Sequence, residues 1–283
     1  MRNPETIERA FPGLSDARWI GRGGRSEVFA VERASPIDGR KETVALKILG
    51  LHGGLPTEVR SMFEQERAAL SRLRTLVDRS DDPRSLRIAR FIETREAVID
   101  GRPCFGIVSE LFPAGTLDAW RSQRRSLVRS TLFQLLDDVA AALSFLHEHD
   151  EIHRDVKPQN VFVVETDAGP RARLGDFGSS RPSGVETRSF TPLYAPDIGE
   201  SAESDRYDVY SFACLIVALI QGSFGPEQRR FGRLSPLVLS EAEREGCLEG
   251  ASPRCYRSLR QLLVKMTRPE SQLRPGMDEV RRT

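Results

Sequence analysis

His153-Arg154-Asp155-Val156-Lys157-Pro158-Gln159-Asn160 is the stretch on which the reading of this chain turns. It sets a carboxylate, an ammonium and an amide close together, between a segment of helical and a segment of strand periodicity. Upstream, Leu132, Leu135, Leu136, Val139, Leu143 and Leu146 recur at helical spacing, and this broad apolar stripe predicts a helix. Downstream, NVFVV, the turn TDAG and RARLGDF (residues 160–177) read as a short hairpin. Working outward, β-branched or alternating runs at 27–32, 43–48, 88–92 and 104–109 predict strands, with a turn at SPIDGRK and one helix between about 56 and 77. Behind the hairpin come a loop from Gly178 to about Asp197, a buried helix near 207–221 and a last helix around 256–267. The expected fold is α+β: a small β-rich lobe with one key helix, then a larger, mainly helical lobe.

Bulk properties restrict the classes. A chain of 283 residues, 39% hydrophobic and 29% charged, has the composition of a globular protein and room for two lobes. A net charge of +1 offers no whole-molecule reason for nucleic-acid binding or membrane attachment. The apolar run Val209–Ile220 is about half the roughly 20 residues that a bilayer requires, so it predicts a core helix. MRNPETIERAF lacks the apolar core of a signal peptide, and the expected location is cytoplasmic. Cys104, Cys214, Cys247 and Cys255 show no CxxC spacing and read as free thiols. Lys41, Lys47, Lys157 and Lys265 are the only lysines among 42 basic residues, and two of them fall in the motifs that follow.

The octapeptide resembles the catalytic loop H-R-D-x-K-P-x-N of eukaryotic-like (Hanks-type) serine/threonine protein kinases. The resemblance implies the general template of phosphoryl transfer from ATP. Asp155 would orient the acceptor hydroxyl and take its proton, while Lys157 would set a cation beside the moving γ-phosphate. Asn160 would offer Mg²⁺ a neutral oxygen. Asp176-Phe177-Gly178, sixteen residues after Asn160, resembles the magnesium motif, with Asp176 as the second metal ligand. The implied cofactors are ATP and Mg²⁺, with Mn²⁺ as a substitute.

Ile20-Gly21-Arg22-Gly23-Gly24-Arg25-Ser26-Glu27-Val28 resembles the glycine-rich loop that covers the phosphates, with Ser26 in place of the third glycine. Within it Ile20, Gly21, Gly23, Ser26 and Val28 are the implied nucleotide contacts. Val44-Ala45-Leu46-Lys47 resembles the V-A-I-K strand, so Ala45 and Lys47 join that set. Helical geometry selects the acid for Lys47. Val59, Phe63, Leu70, Leu73 and Val77 form one stripe, on which Glu66 lies and Glu64 does not. An inward Glu is costly without a cation, so Glu66 either pairs with Lys47, as the resemblance also implies, or reaches out from the edge of the stripe.

Residues 107–117 resemble the strand and hinge that join the lobes. Glu110 and Leu111 would then meet the adenine through their backbone, Phe162 would lie beneath it, and Ser109 would hold the gatekeeper position. Asp208 falls where the family anchors its catalytic loop, and Arg274 where a late arginine pairs with the acid of A-P-E, here Ala195-Pro196-Asp197. The segment Thr191–Pro196 is one residue shorter than the family pattern. Arg154 and Arg181 suggest a basic pocket that phosphate on Thr187 or Ser189 could order.

The resulting expectation is a single domain over 1–283: N-lobe about 14–109, hinge about 110–115, C-lobe about 116–283. It is an ATP-dependent serine/threonine protein kinase, bacterial in its arginine-rich composition, that phosphorylates protein hydroxyls and itself. Its partners are protein substrates, with no nucleic acid and no membrane insertion, and its oligomeric state is not legible. The alternative is a kinase-like scaffold, whose kind lacks one or more of the acids and the lysine found here. A small-molecule phosphotransferase of related fold is a third reading, against which the segment around Tyr194 speaks.

Overall fold

The computed structural model describes residues 3–23, 26–36, 38–51, 56–182, 191–196, 204–222, 229–230, 233–234 and 239–283. The chain divides into two compact units, one made of Met1–Asp78 and Ala89–Leu111, the other of Arg79–Ile88 and Phe112–Thr283.

The first unit is an antiparallel sheet of β1 (Leu14–Arg22), β2 (Ser26–Ala34), β3 (Lys41–Leu49), β4 (Phe91–Ile99) and β5 (Arg102–Glu110), in the order β1-β2-β3-β5-β4. Among the described residues two helices accompany it, α1 (Pro4–Ala10) and α2 (Pro56–Asp78). β4 is longer than the run predicted at 88–92. Its residues 91–95 are all half-buried, so they carry no alternation that a sequence pattern could register. The turn into β5 is Asp100-Gly101, both at positive φ (50° and 73°), the two-residue geometry whose twist matches paired strands. Helix α1, which no pattern signalled, starts at a capping Asn3 and a proline at its head. Register sorts the two faces of the sheet. Phe29, Val31, Val44, Leu46, Ile48, Cys104 and Val108 fill a core with Ile7 and Phe11 from the N-terminal segment. Lys47, alternating with Leu46 and Ile48, points to the opposite face.

The second unit contains α3 (Leu117–Ser122), α4 (Arg129–Glu148), α5 (Arg206–Gln221), α6 (Ser240–Glu245), α7 (Pro253–Met266) and α8 (Met277–Arg282), with the hairpin Val161–Thr166/Gly169–Leu174. The leucine stripe of α4 is buried throughout, and α5 is buried on every side from Tyr207 to Ile220. Where α5 ends, Gly222 turns with φ +78°, and the buried Arg121 guanidinium takes the last carbonyls, Leu219 at 2.5 Å and Ile220 at 3.2 Å. A second buried charge links three elements. The carboxylate of Asp138 (1% exposed) accepts from Arg87 at 2.7 Å, from Arg171 at 2.8 and 2.6 Å, and from the Ala172 N–H at 2.9 Å. It thereby ties the 3₁₀ turn Pro83–Arg87 and the hairpin to α4. Among the described residues no helix is long and apolar enough to cross a membrane.

Candidate active site

In the first unit the strand register assembles one set of side chains. Val28 pairs with Lys47, Ala45 with Ser109, and Lys47 with Ile107. Cross-strand partners share a face, so Val28, Ala45, Lys47 and Ser109 all lie on the face opposite the hydrophobic core. Lys47 Nζ donates to Glu66 Oε1 at 2.8 Å, and Glu66 is 7% exposed. Glu64, two residues earlier, pairs outward with Arg67 in the same helix. At the glycine-rich turn the Gly23 N–H donates to the Ser26 carbonyl at 2.8 Å. A Cβ on Gly23 would stand 2.9 Å from Ser26 Oγ, so the serine replacing the family's third glycine leans on one of the glycines kept. Gly24 and Arg25 lie outside the described residues, Gly21 pairs with Val28 across β1 and β2, and Ile20 is exposed. At the end of β5 the Glu110 N–H donates to the Arg90 carbonyl at 2.9 Å, and Leu111 closes the unit.

In the second unit the octapeptide is built around a carboxylate from another element. Asp208 in α5, fully buried, accepts from the His153 N–H at 2.8 Å and the Arg154 N–H at 2.7 Å, and meets His147 Nε2 at 2.9 Å. Burial alone would raise its pKa, but the His147 ring, followed by His153, holds the carboxyl below its usual range. The two N–H bonds hold Arg154 in the left-handed region at φ +65°, a costly conformation for a side chain of this size. His153 continues the support, with Nε2 3.0 Å from the Gly175 carbonyl and its ring edge-on to Phe177. The Gly175 N–H in turn donates to the Asn160 carbonyl at 2.9 Å, so the loop and the approach to Asp176 are tied directly.

On this frame Asp155 gathers three donors. Lys157 Nζ reaches Oδ2 at 2.7 Å, Asn160 Nδ2 reaches Oδ2 at 2.8 Å, and Thr191 Oγ1 reaches Oδ1 at 2.6 Å. Lys157 also donates to Thr191 Oγ1 at 2.7 Å, closing a ring of three side chains. Thr191 is the residue that pattern reading does not place here. It lies 36 positions from Asp155, and only the fold of the intervening chain brings the two together. Asn160 also spends its amide hydrogens on the Asp155 carbonyl at 2.8 Å, which leaves its oxygen as the free end of the group. Asp176 is exposed at φ +56°, and Phe162 stacks on Phe112 with centroids 4.8 Å apart.

The remaining expectations meet the structure unevenly. Arg154 is buried, its guanidinium donating to the Pro182 carbonyl at 3.3 Å, and burial foremost lowers its pKa. Arg181 bonds the Ser180 carbonyl. Thr187 and Ser189 lie outside the described residues, as does Asp197. Arg274, its expected partner, is buried, donates to the Arg268 carbonyl at 2.7 Å and lies over the Tyr210 ring.

A β-sheet unit carrying a Lys–Glu pair and a helical unit carrying the Asp–Lys–Asn loop define a bilobal α+β kinase architecture. The chain belongs to the protein kinase family, whose domain matches residues 14–283. Similar proteins include a mouse serine/threonine-protein kinase SBK1, 28% identical over 142 residues that make up 47% of this chain and 34% of that protein. An Arabidopsis thaliana L-type lectin-domain containing receptor kinase I.7 is 28% identical over 98% of this chain and 41% of its own length. The Myxococcus xanthus serine/threonine-protein kinase pkn2 is 29% identical over 80% of this chain and 27% of its own. The chain thus spans well under half the length of these relatives.

Proposed function

We propose that the chain is an active serine/threonine protein kinase that moves the γ-phosphoryl group of ATP to hydroxyls of protein substrates and of itself. The observation that carries this reading is the three-donor setting of Asp155. A carboxylate held by Lys157, Asn160 and Thr191 has a fixed orientation, which a base needs if it is to meet one hydroxyl in line with a phosphate. In the proposed step the bond from the γ-phosphorus to the β–γ bridging oxygen breaks and a bond to the acceptor oxygen forms. The hydroxyl proton goes to Asp155, and ADP leaves. Lys157 stabilises charge on the transferred group, and Lys47, steadied by Glu66, holds the other phosphates.

Mg²⁺ when bound would neutralise phosphate charge. Asn160 fits this role because its amide hydrogens are engaged by Asp155, leaving the oxygen as the ligating atom, and the exposed carboxylate of Asp176 supplies a hard anionic ligand. Val28, Ala45, Ser109, Glu110, Leu111 and Phe162 would enclose the base, and Ile20, Gly21, Gly23 and Ser26 would cover the phosphates.

The test is transfer of labelled γ-phosphate to a generic basic protein and to the chain itself, with Mg²⁺ and with Mn²⁺, beside Asp155→Ala. Label on Ser or Thr that disappears in the variant is the expected result. Binding of Mg·ATP without transfer by the wild-type chain would overturn it in favour of a scaffold.

A further inference from the structure

The residues before the family match contain a feature that the kinase template does not supply. Helix α1 and the turn after it precede residue 14, yet Ile7 and Phe11 are among the most buried side chains of the first unit, at 0% and 1% exposed. The segment is fastened at both ends. Glu8 Oε1 accepts from the Ala17 N–H of β1 at 2.9 Å, and the Pro12 carbonyl accepts from Arg95 of β4.

The decisive contact is at Gly106, in the middle of β5. A Cβ built there would stand 2.8 Å from Phe11 Cε1 and 2.9 Å from Leu46 Cδ1, closer than real Cβ contacts. Gly106 is therefore a notch, and the Phe11 ring and the Leu46 side chain fill it together. Glycine within a strand is otherwise unfavourable, and close approach of another group is a usual reason for it. The notch sits directly behind Lys47. Gly106 pairs with Ile48, Val108 pairs with Leu46, and Lys47 lies between these two positions with its side chain on the other face.

We propose that Phe11 is a positioning residue for Lys47. Seated in the Gly106 notch, it wedges β3 and β5 from behind and fixes the height at which the Lys47–Glu66 pair is presented. This rests on the kinase reading only in assigning Lys47 to the nucleotide. Close packing gives the mechanism: a void behind a strand lets it shift, and a lysine whose strand shifts loses register with its ligand.

The experiment is a double-mutant cycle on the full chain, read as Mg·ATP affinity by competition with a fluorescent ATP analogue. Thermal melting establishes that each variant is folded at the assay temperature. Phe11→Ala is expected to weaken Mg·ATP about fivefold, in the range of couplings carried through packed side chains. In a Lys47→Met background the same substitution is expected to change affinity by less than about twofold, because the group through which Phe11 acts is gone. If Phe11→Ala does not fold, Phe11→Leu, which keeps most of the buried volume, replaces it in both backgrounds with a smaller expected loss. A lowered melting temperature with unchanged affinity would make Phe11 a purely structural residue and overturn the proposal, as would equal losses with and without Lys47. The γ-phosphate transfer assay is scored separately. A wild-type chain that binds Mg·ATP without transferring phosphate sinks the kinase reading and leaves the wedge standing, whereas a wild-type chain that binds no Mg·ATP overturns both.

Discussion

Asp208→Asn changes one atom and leaves the shape of the side chain intact, so its effect isolates what the carboxylate does. In the native protein Oδ1 accepts from the Arg154 N–H at 2.7 Å and Oδ2 from the His153 N–H at 2.8 Å. Asparagine has one carbonyl oxygen, so in either orientation its NH₂ faces one of these N–H groups, donor against donor. A hydrogen bond to a charged group contributes about 1.5–3 kcal/mol, and the stranded buried donor costs a further 1–3 or so. Together with the lost partner of His147, the loss is roughly 3–5 kcal/mol, a large part of the roughly 5–15 kcal/mol that keeps a domain folded.

Equilibrium urea unfolding measures that loss. In the fraction still folded, Arg154 is free to leave its left-handed conformation, and Asp155 follows it. A displacement of about 1 Å is enough to lower kcat about a hundredfold. The pH dependence gives an independent reading. The pKa of Asp208 is lowered in the folded state, so its contribution is fully present above the unfolded value, near pH ~4, and is lost as pH falls through the folded value. The Asn variant should therefore lose less stability on acidification than the wild type. Unfolding within about 1 kcal/mol of wild type, with kcat unchanged, would refute the anchoring argument, since no single hydrogen bond to a charge would then have been lost.

Thr191→Val deletes the hydroxyl that bridges Asp155 and Lys157, and kcat should fall about tenfold or more while Thr191→Ser restores most of it; steady-state kinetics with a protein substrate decides. Asp138→Ala leaves the Arg87 and Arg171 guanidiniums without their shared carboxylate, and urea unfolding should show a loss of roughly 3–5 kcal/mol. Ser109, small and on the Lys47 face of β5, should admit bulky-substituted ATP-competitive inhibitors that Ser109→Phe excludes. Equal inhibition constants for the two forms would disprove an open pocket there.

Local pattern carried much of this protein. The leucine stripe of α4 announced a helix buried along that stripe and the apolar run of α5 one buried on every side, because spacing at 3.6 residues and continuous apolarity are written residue by residue. The same period distinguished Glu66 from Glu64, since helix faces follow from spacing alone. Motif chemistry set Asp155, Lys157, Asn160 and Asp176 in order, because the short connections between them leave the chain few routes. Tertiary structure alone decided the rest. Thr191 reaches Asp155 across 36 residues, a closure that no local spacing encodes. Family resemblance marked Asp208 as the anchor of the loop, but which backbone N–H groups it takes, those of His153 and Arg154 some 55 and 54 positions away, only the fold decides. Phe11 looks like any apolar residue near a chain end until Gly106, 95 positions later in the sequence, proves to be the gap into which its ring fits. Contacts of this kind depend on shape complementarity between distant segments, a property of packed surfaces that exists only once the chain has folded.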